Sequence, residues 1–321
     1  MKDCHNRSID YLRLSIIDQC NLRCTYCLPE QGAQWLAPEN RLTDDQLLQI
    51  VSAFASLGVT KVKLTGGEPL LHPSLCSLVR QIKAIPTIQM VTLTTNGVLL
   101  KQQAKQLKEA GIDSINISLD VLNRNRFKQL TRRDVYQDVL DGVHQCLQEN
   151  ISIKLNVVLA RELNQTDTLA LAELAHHHEI PVRFIELLPI GCAKHLTPLP
   201  PDELLSQLKQ QYPQMKQSLK TYGNGPAVYY EIPTFKAPIG FISAMSHSFC
   251  EQCNRIRVSA NGELKTCLHY APTLNLTPYL NDDTLVPIIE AACFNKPKQH
   301  DFKTQSKNER FEQRNMAQLG G

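Results

Sequence analysis

The pattern of hydrophobic and polar positions alternates between two periods from Leu12 onward. Short runs of β-branched and aliphatic residues predict β-strands, and longer stretches with apolar residues every three or four positions predict helices. The short runs predict six strands, at Leu12–Ile17, Lys61–Thr65, Met90–Thr94, Ser114–Leu119, Ile151–Leu159 and Val182–Leu187. The amphipathic stretches between them predict helices at Asp44–Leu57, Pro73–Ala84, Lys101–Ala110, Tyr136–Glu149 and Gln165–His178.

This alternation predicts an α/β fold. Strands that are separated by helices need crossover connections, so they are expected to pair in parallel. Six such units without a doubly wound phosphate-binding loop predict an incomplete, TIM-like (β/α)6 barrel. In that architecture the functional residues lie at the C-terminal ends of the strands.

A Pro-rich break at Thr197–Pro201 leads into a region with a different pattern,. This region predicts a smaller α+β domain that contains helices at Asp202–Gln211 and Asp282–Phe294, with strands at Ala227–Ile232, Ile239–Ser243, Arg255–Ser259 and Glu263–Thr266. We therefore expect a partial barrel over residues 1–195, a second domain over 196–295 and a tail over 296–321. The tail is polar and charged, with too little apolar surface to order itself, so it must dock or stay mobile.

Composition and charge narrow the class of protein. A chain of 321 residues with 42% hydrophobic residues can bury a sizeable core,. Its 34 Lys+Arg and 31 Asp+Glu nearly balance, so no nucleic-acid partner is expected, and cations must converge on folding to bind an anion,. Met1–Asp10 lacks the apolar core of a secretory signal, and no apolar run is long enough to span a bilayer,. We expect a cytoplasmic protein with no membrane partner.

Six of the eleven cysteines are clustered, and in a reducing compartment clustered cysteines indicate a metal rather than disulfides,. Cys20, Cys24 and Cys27 form a C-x₃-C-x₂-C motif after the first predicted strand. A structural zinc site needs four ligands, and no fourth Cys or His lies nearby, whereas a four-iron cluster can be held by three thiolates. We read the scattered cysteines as packing residues or surface thiols: Cys4, Cys76, Cys146, Cys192 and Cys293.

A second group, Cys250, Cys253 and Cys267, again supplies three thiolates. A predicted hairpin that turns at Asn261-Gly262 would bring Cys267 back to the other two. On spacing alone, zinc with a fourth ligand from His247 or His269 stays open as an alternative.

The first cysteine motif, together with Gly66-Gly67-Glu68-Pro69 after the second strand, resembles the radical S-adenosylmethionine superfamily. The resemblance implies a [4Fe-4S] cluster whose open iron chelates S-adenosylmethionine. It also implies contacts between that cofactor and five residues, namely Tyr26, Gly66, Gly67, Ser118 and Leu188. Leu188 stands where relatives usually carry Met, so this assignment is the weakest of the five.

Residues 240–259, GFISAMSHSFCEQCNRIRVS, resemble the C-terminal domain of the GTP 3′,8-cyclase family. The likeness covers nearly the whole chain and includes Thr94-Thr-Asn-Gly, Thr131-Arg-Arg-Asp and the final Gly-Gly. It implies the first step of molybdenum cofactor biosynthesis, in which a radical formed from S-adenosylmethionine removes hydrogen from C3′ of GTP and C3′ then attacks C8. It also implies a second [4Fe-4S] cluster that binds guanine, an external one-electron reductant of the flavodoxin or ferredoxin type, and a monomer or homodimer.

The same resemblance implies which residues form the site. GTP would contact Arg13, Lys63, Thr94, Lys154, Arg255 and Arg257, and the catalytic residues would be Arg255, Arg257, Gly320 and Gly321. The final dipeptide would insert into the active site, and we expect its deletion to abolish turnover while leaving both clusters in place. Two other hypotheses are a radical S-adenosylmethionine enzyme that acts on a peptide or other small molecule, and a non-catalytic zinc or iron-sulfur module.

Overall fold

The computed structural model describes residues 1–223, 225–302 and 311–320. Its strands are β1 (Tyr11–Ser15), β2 (Lys61–Thr65), β3 (Met90–Thr95), β4 (Ser114–Ser118), β5 (Ser152–Leu159), β6 (Val182–Glu186), β7 (Lys216–Gln217), β8 (Val228–Glu231), β9 (Ile239–Ile242), β10 (Arg255–Val258), β11 (Glu263–Lys265) and β12 (Leu274–Asn275). Its α-helices are α1 (Asp44–Ser56), α2 (Leu75–Lys83), α3 (Leu100–Glu109), α4 (Arg124–Thr131), α5 (Tyr136–Gln148), α6 (Arg161–Asn164), α7 (Thr168–His177), α8 (Pro201–Gln211) and α9 (Leu285–Phe294). Every predicted strand and helix is present, and their ends differ from the prediction by at most three residues.

The twelve strands of the described residues form one sheet in the order β12-β11-β10-β1-β2-β3-β4-β5-β6-β9-β8-β7. Strands β1 to β6 are parallel neighbours in chain order, as crossover connections require,. Parallel pairing continues outward, to β10 beside β1 and to β9 beside β6. The large, mostly parallel sheet confirms the predicted α/β fold.

The outer strands of this sheet come from the region that was predicted to be a second domain. Both β9 and β10 lie beyond residue 195, yet each pairs directly with a strand of the first region. Strands from both sides of the predicted boundary near residue 195 therefore belong to the same sheet. The division into domains stays a prediction.

Successive residues of the parallel strands point to opposite faces of the sheet. One face is apolar and packs beneath the helices; it includes Leu12, Leu14, Val62, Leu64, Val91, Leu93, Ile115, Ile117, Leu155 and Val157. The alternate positions are mostly polar and form the other face. Helix α1 is an example of how a helix begins and packs. Thr43 and Gln46 form a capping box at its start, and its apolar side packs in the core,.

Helices α4 and α6 and the two-residue strands β7 and β12 were not predicted. Only Phe127, Leu130 and Thr131 are buried in the octapeptide of α4, which is too weak a pattern to predict a helix. Its stability comes from the Asn123 side chain, which accepts from two amide groups of its first turn, and from Arg126, which pairs with Asp167,.

The described part of the tail is docked rather than extended. Phe302, Ala317 and Leu319 are buried. Leu319 and Phe302 form a small apolar cluster with Ile190, apart from the main core. Within the described ranges, no helix has the length and hydropathy that a membrane span requires.

Candidate active site

Six basic side chains converge on the polar face of the sheet. They come from β1, β2, β5, β6 and β10, and they are Arg13, Lys63, Lys154, Arg183, Arg255 and Arg257. Arg13 lies beside Lys63 on one neighbouring strand and beside Arg257 on the other. Lys63 and Arg183 are buried, with 7% and 8% of their surface exposed.

The electrostatics of this cluster favour a bound anion. Burial lowers the pKa of Lys63 well below its usual value, and Arg183, Arg13 and Lys154 lower it further. Burial, and then Arg183, lower the pKa of Lys154 to about 8. The pKa of Arg257 is also lowered by burial and by Arg13 and Arg255. Because these cations destabilise one another, an anionic ligand would relieve the repulsion.

The sequence predicted five of these six cations, together with Thr94, and the structure brings all of them to one face. It did not predict Arg183 as a site residue. Arg183 Nη2 donates to Asn156 Oδ1 at 2.6 Å, and within the described part of the chain its buried Nε has no hydrogen-bond partner. Buried parallel strands usually consist of continuous runs of apolar residues. The polar residues at alternate positions of these strands could therefore have identified Arg183 as a site residue. Asn116, which donates to Thr94 Oγ1 at 3.5 Å, follows the same pattern.

The first cysteine group lies on the loop that follows β1. The amide of Leu22 donates to Cys20 Sγ at 3.4 Å, and the amide of Cys27 donates to the carbonyl of Cys24 at 2.9 Å. Burial raises the pKa of Cys20 to about 11 and that of Cys27 to about 12. Burial also raises the pKa of Cys24, and Cys27 and Cys20 raise it further, so the three thiols lie together. Metal binding at this loop must therefore displace protons from all three thiols.

Gly66 and Gly67 pack the loop after β2 against this cysteine loop. The amide of Gly67 donates to Ile17 O at 2.8 Å, and a Cβ at Gly67 would come within 2.3 Å of Gln19 O. The sequence predicted that these glycines allow close approach to a ligand. The close approach that the structure shows is between the two loops, which holds the cysteine loop in place.

The other predicted cofactor contacts lie around the same end of the sheet. Tyr26 donates its hydroxyl to Asp120 Oδ2 at 2.9 Å, and Asp120 also accepts from the amide of Val158 at 2.7 Å. Ser118 is the last residue of β4, and Leu188 packs against the apolar cluster of the docked tail. Their contact with a cofactor stays a prediction.

The second cysteine group is assembled by the predicted hairpin. Strands β10 and β11 pair in antiparallel fashion around Gly262, whose φ of +83° suits glycine,. Cys253 and Cys250 both raise the pKa of Cys267, which burial raises most, so the three thiols lie together. Burial also opposes ionisation of Cys253, but Arg255 and Lys296 outweigh it and lower the pKa of this thiol to about 7.

Across the residues that the structure describes, neither histidine proposed as a zinc ligand joins two cysteine sulfurs in a group whose ligand atoms all lie within 4.8 Å of one another. His247 is exposed and contacts Asp202, with Nε2 at 2.9 Å from Oδ2. His269 is buried against aromatic rings, 4.1 Å from the centre of Phe302. The histidine that affects Cys250 is instead His300, whose proximity, with Ser248, offsets burial and lowers the pKa of that thiol to about 6.

The spacing of the sulfur atoms tests which metal each cysteine group fits. Among the described residues, only Glu173, His176 and His177 bring three ligand atoms within 4.8 Å of one another. Four tetrahedral Zn–S bonds place sulfur atoms roughly 3.8 Å apart. Both cysteine groups are wider than this, and each offers three sulfurs, which fits a four-iron cluster that has one open iron.

Residues 311–320 lie across the end of the sheet that carries the first cysteine loop. Gly320 O accepts from Arg13 Nη2 at 3.3 Å, and the amide of Ala317 lies against Cys27 and lowers the pKa of its thiol. A Cβ at Gly320, where φ is +77°, would come within 2.6 Å of Thr65 Oγ1. Only glycine fits this position. Gly321, the other half of the predicted dipeptide, lies outside the described residues, and the catalytic role of both stays a prediction.

Comparisons with known proteins find similar domains and similar full-length chains. The family model of the radical SAM superfamily matches residues 14–175, and the model of molybdenum cofactor synthesis C matches residues 180–302. The chain is 41% identical to a GTP 3′,8-cyclase of Clostridium perfringens, and the match covers 100% of both chains. It is 37% identical to GTP 3′,8-cyclases of Desulforamulus reducens, over 100% of both chains, and of Lactiplantibacillus plantarum, over 99% of this chain and 98% of that protein.

A solved structure also shares the fold. The crystal structure of Streptococcus suis SuiB matches 98% of this chain and 79% of that protein, with a TM-score of 0.64 and 14% sequence identity. At this identity the likeness concerns the fold alone.

Proposed function

The chain belongs to the GTP 3′,8-cyclase family of the radical SAM superfamily, and on this premise we propose that it converts GTP into (8S)-3′,8-cyclo-7,8-dihydroguanosine 5′-triphosphate. This lyase reaction joins C3′ of the ribose to C8 of the guanine and begins molybdenum cofactor biosynthesis. The observation that carries the proposal is the convergence of six cations on the polar face of the sheet, in a chain whose net charge is only +3.

We infer that the sheet curls into an incomplete (β/α)6 barrel with the polar face inside. In a flat sheet, with about 4.8 Å between neighbouring strands, β1 and β6 would lie about 24 Å apart. Arg183 of β6 nevertheless lowers the pKa of Arg13 of β1, after burial and Arg255, so the two side chains are near each other. Curling explains how cations from distant strands meet.

Cys20, Cys24 and Cys27 would hold the first [4Fe-4S] cluster, and Cys250, Cys253 and Cys267 would hold the second. When bound, the first cluster and S-adenosylmethionine supply the one-electron chemistry that starts the reaction. S-adenosylmethionine would lie against Tyr26, Gly66, Gly67, Ser118 and Leu188. Radical SAM chemistry requires an external reductant, and we infer one of the flavodoxin or ferredoxin type, acting on a monomer or homodimer.

The chain itself contributes binding, orientation and exclusion of water. Arg13, Lys63, Lys154, Arg183, Arg255 and Arg257 would bind the triphosphate and guanine, because charge-assisted hydrogen bonds are roughly twice as strong as neutral ones. Holding the ribose at a fixed distance from the base turns ring closure into a reaction of one oriented molecule. The docked segment that ends at Gly320 covers Arg13 and keeps solvent from that end of the site.

An anaerobic assay tests the proposal. Reconstituted protein is incubated with dithionite, S-adenosylmethionine and GTP, and the cyclised nucleotide is measured by mass spectrometry. We expect product from GTP and much less from GMP or ATP, since these lack either the full triphosphate or guanine. Equal release of 5′-deoxyadenosine with every nucleotide, without a cyclised product, would contradict GTP as the substrate.

A further inference from the structure

Lys296 is a buried cation beside the second cysteine group. Only 2% of its surface is exposed. Its Nζ donates to Arg255 O at 3.0 Å and also to Thr266 O. Arg255 begins β10 two residues after Cys253, and Thr266 follows β11 and directly precedes Cys267. The ammonium group therefore bridges the start of β10 and the end of β11, next to both cysteines.

The charge of Lys296 is not balanced by the groups that it bonds. In the portion of the chain that the structure describes, both acceptors of Lys296 Nζ are neutral carbonyl oxygens, and a buried charge of this kind is costly without an opposite charge nearby,. The two carbonyl groups that hold Lys296 Nζ belong to residues within two positions of Cys253 and Cys267, which are expected cluster ligands. Anionic sulfur is therefore the partner that the site offers to this cation.

A buried arginine near the start of the chain fixes Lys296 in this place. Arg7 donates to Pro297 O at 2.7 Å, to Lys298 O at 2.8 Å and to Cys250 O at 2.9 Å. Its Nε pairs with Asp3 at 2.6 Å, and both side chains are buried. One guanidinium therefore joins the segment that follows α9 to the second cysteine loop, and this leaves the backbone at Lys296 little freedom.

We propose that Lys296 is a positioning residue of the second cluster: its ammonium group bridges β10 and β11 beside the cluster sulfurs and stabilises the more negative, reduced form. This inference rests on the proposed second cluster. Reduction adds one negative charge to a cluster with three thiolate ligands, and a fixed cation in a buried site favours that state. Removing the cation therefore lowers the reduction potential.

The test uses full-length protein that carries Cys24→Ser, so that only the second cluster contributes to the EPR signal. Reduction potentials are measured by anaerobic EPR titration with and without Lys296→Gln, which keeps a donor but removes the charge. We expect Lys296→Gln to lower the equilibrium constant for reduction of the cluster at least tenfold. This corresponds to a reduction potential that is lower by about 59 mV for one electron. Lys296→Arg should keep the potential, and the matched control Lys298→Met, at an exposed lysine two residues away, should not change it.

The outcomes separate this inference from the proposed function. If the Cys24→Ser protein with Lys296 intact binds no iron, the proposed second cluster is wrong. If it binds a cluster, and Lys296→Gln has the same reduction potential as Lys298→Met, the proposed role of Lys296 is wrong. Loss of iron in Lys296→Gln, with retention in Lys296→Arg, would assign Lys296 to cluster assembly and overturn the role in the potential.

Discussion

The buried guanidinium of Arg183 bonds to the uncharged side chains of Asn156 and Tyr229, in a site crowded with other cations. Substitution of this residue by methionine keeps an unbranched apolar side chain but removes the charge. Because hydrogen bonds to charged groups contribute about 1.5–3 kcal/mol, Arg183→Met should raise KM for GTP by roughly 10- to 100-fold. Steady-state kinetics of the reconstituted enzyme measure this change.

The matched control is Arg124→Met, since Arg124 is exposed and pairs with Asp134 on the surface. It should leave KM unchanged. An Arg183→Met enzyme with the KM of the wild type would show that Arg183 does not bind the nucleotide.

A methyl group at Gly67 tests the contact between the two loops. The added Cβ would lie 2.3 Å from Gln19 O and 2.4 Å from Asp18 O, so the cysteine loop must shift. We expect Gly67→Ala to cost about 1–3 kcal/mol of stability and to reduce the iron bound by the first cluster. Both effects are measured in a Cys253→Ser background, in which only the first cysteine group can hold a cluster. Thermal unfolding measures the stability, and iron analysis measures the iron that is bound.

Gly225→Ala is the control for this substitution, because a Cβ at that position meets nothing within 4 Å. It should leave stability and iron content within error. Full iron loading of Gly67→Ala would mean that the loop contact does not position the cysteines.

The two cysteine motifs are visible in the sequence, and the resemblance to the GTP 3′,8-cyclase family implied five of the six cations. Residues placed by distant contacts could not be predicted. Lys296 begins the polar tail, whose composition predicts too little apolar surface for it to order itself. The position of Lys296 depends on Arg7, which donates to Lys296 O from 289 positions earlier in the chain, and no local pattern contains that contact.

Among the elements, segment 311–320 depends on a buried ion pair. Lys265 of β11 contacts Glu312, and these side chains are 1% and 3% exposed. Arg314 bonds to Glu312 and to Glu263, also on β11. The segment is therefore anchored on the hairpin of the second cysteine group while its far end, Gly320, reaches Arg13.

Glu312→Met should undock this segment. Removing one partner of a buried ion pair costs about 3–5 kcal/mol, because the other charge is left buried. We expect faster hydrogen exchange at the amides of residues 312–319 and a loss of at least tenfold in kcat. The double variant Lys265→Met/Glu312→Met removes both charges and should restore much of the protection. Equal exchange in wild type and Glu312→Met would contradict the anchoring role.

The pH dependence of this anchor follows from the same pair. Burial raises the pKa of Glu312, but Arg314 and Lys265 outweigh it and lower the pKa to about 2. A carboxylate with a lowered pKa stabilises the folded state above its usual pKa, and the contribution is lost as the pH falls toward 2. Segment 311–320 should therefore stay docked in mild acid, and the protection factors of its amides, which correct for the slower intrinsic exchange in acid, should be the same at pH 5 as at pH 7.

Elements with a clear period were predictable, and short polar elements were not. The six parallel strands carry enough β-branched residues to stand out in the sequence. Helix α4 has a polar sequence and is held by Asn123 and Arg126, while β7 and β12 have only two residues each. Such elements are stabilised by contacts with neighbouring elements, so the local sequence gives little indication of them.

At the scale of the whole molecule, two metal centres should load independently. Cys253→Ser removes one ligand of the second group and leaves the first group intact. We expect reconstituted protein to hold about four irons per chain instead of about eight. Cleavage of S-adenosylmethionine should continue, but the cyclised nucleotide should disappear.

Cys76→Ser is the matched control, because Cys76 is a partly buried thiol that packs against the core away from both motifs. It should retain full iron and product. Unchanged product formation by Cys253→Ser would contradict a role for the second cluster in the reaction.

The strand order has a consequence for synthesis of the protein on the ribosome. When residues 1–195 have emerged, β1 and β6 have no partners on their outer sides, since β10 and β9 are still to be translated. Unpaired strand edges are templates for association with other chains. The nascent protein must therefore pass through an aggregation-prone interval that ends only after residue 258 leaves the exit tunnel, so chaperone demand during translation should be concentrated in that interval.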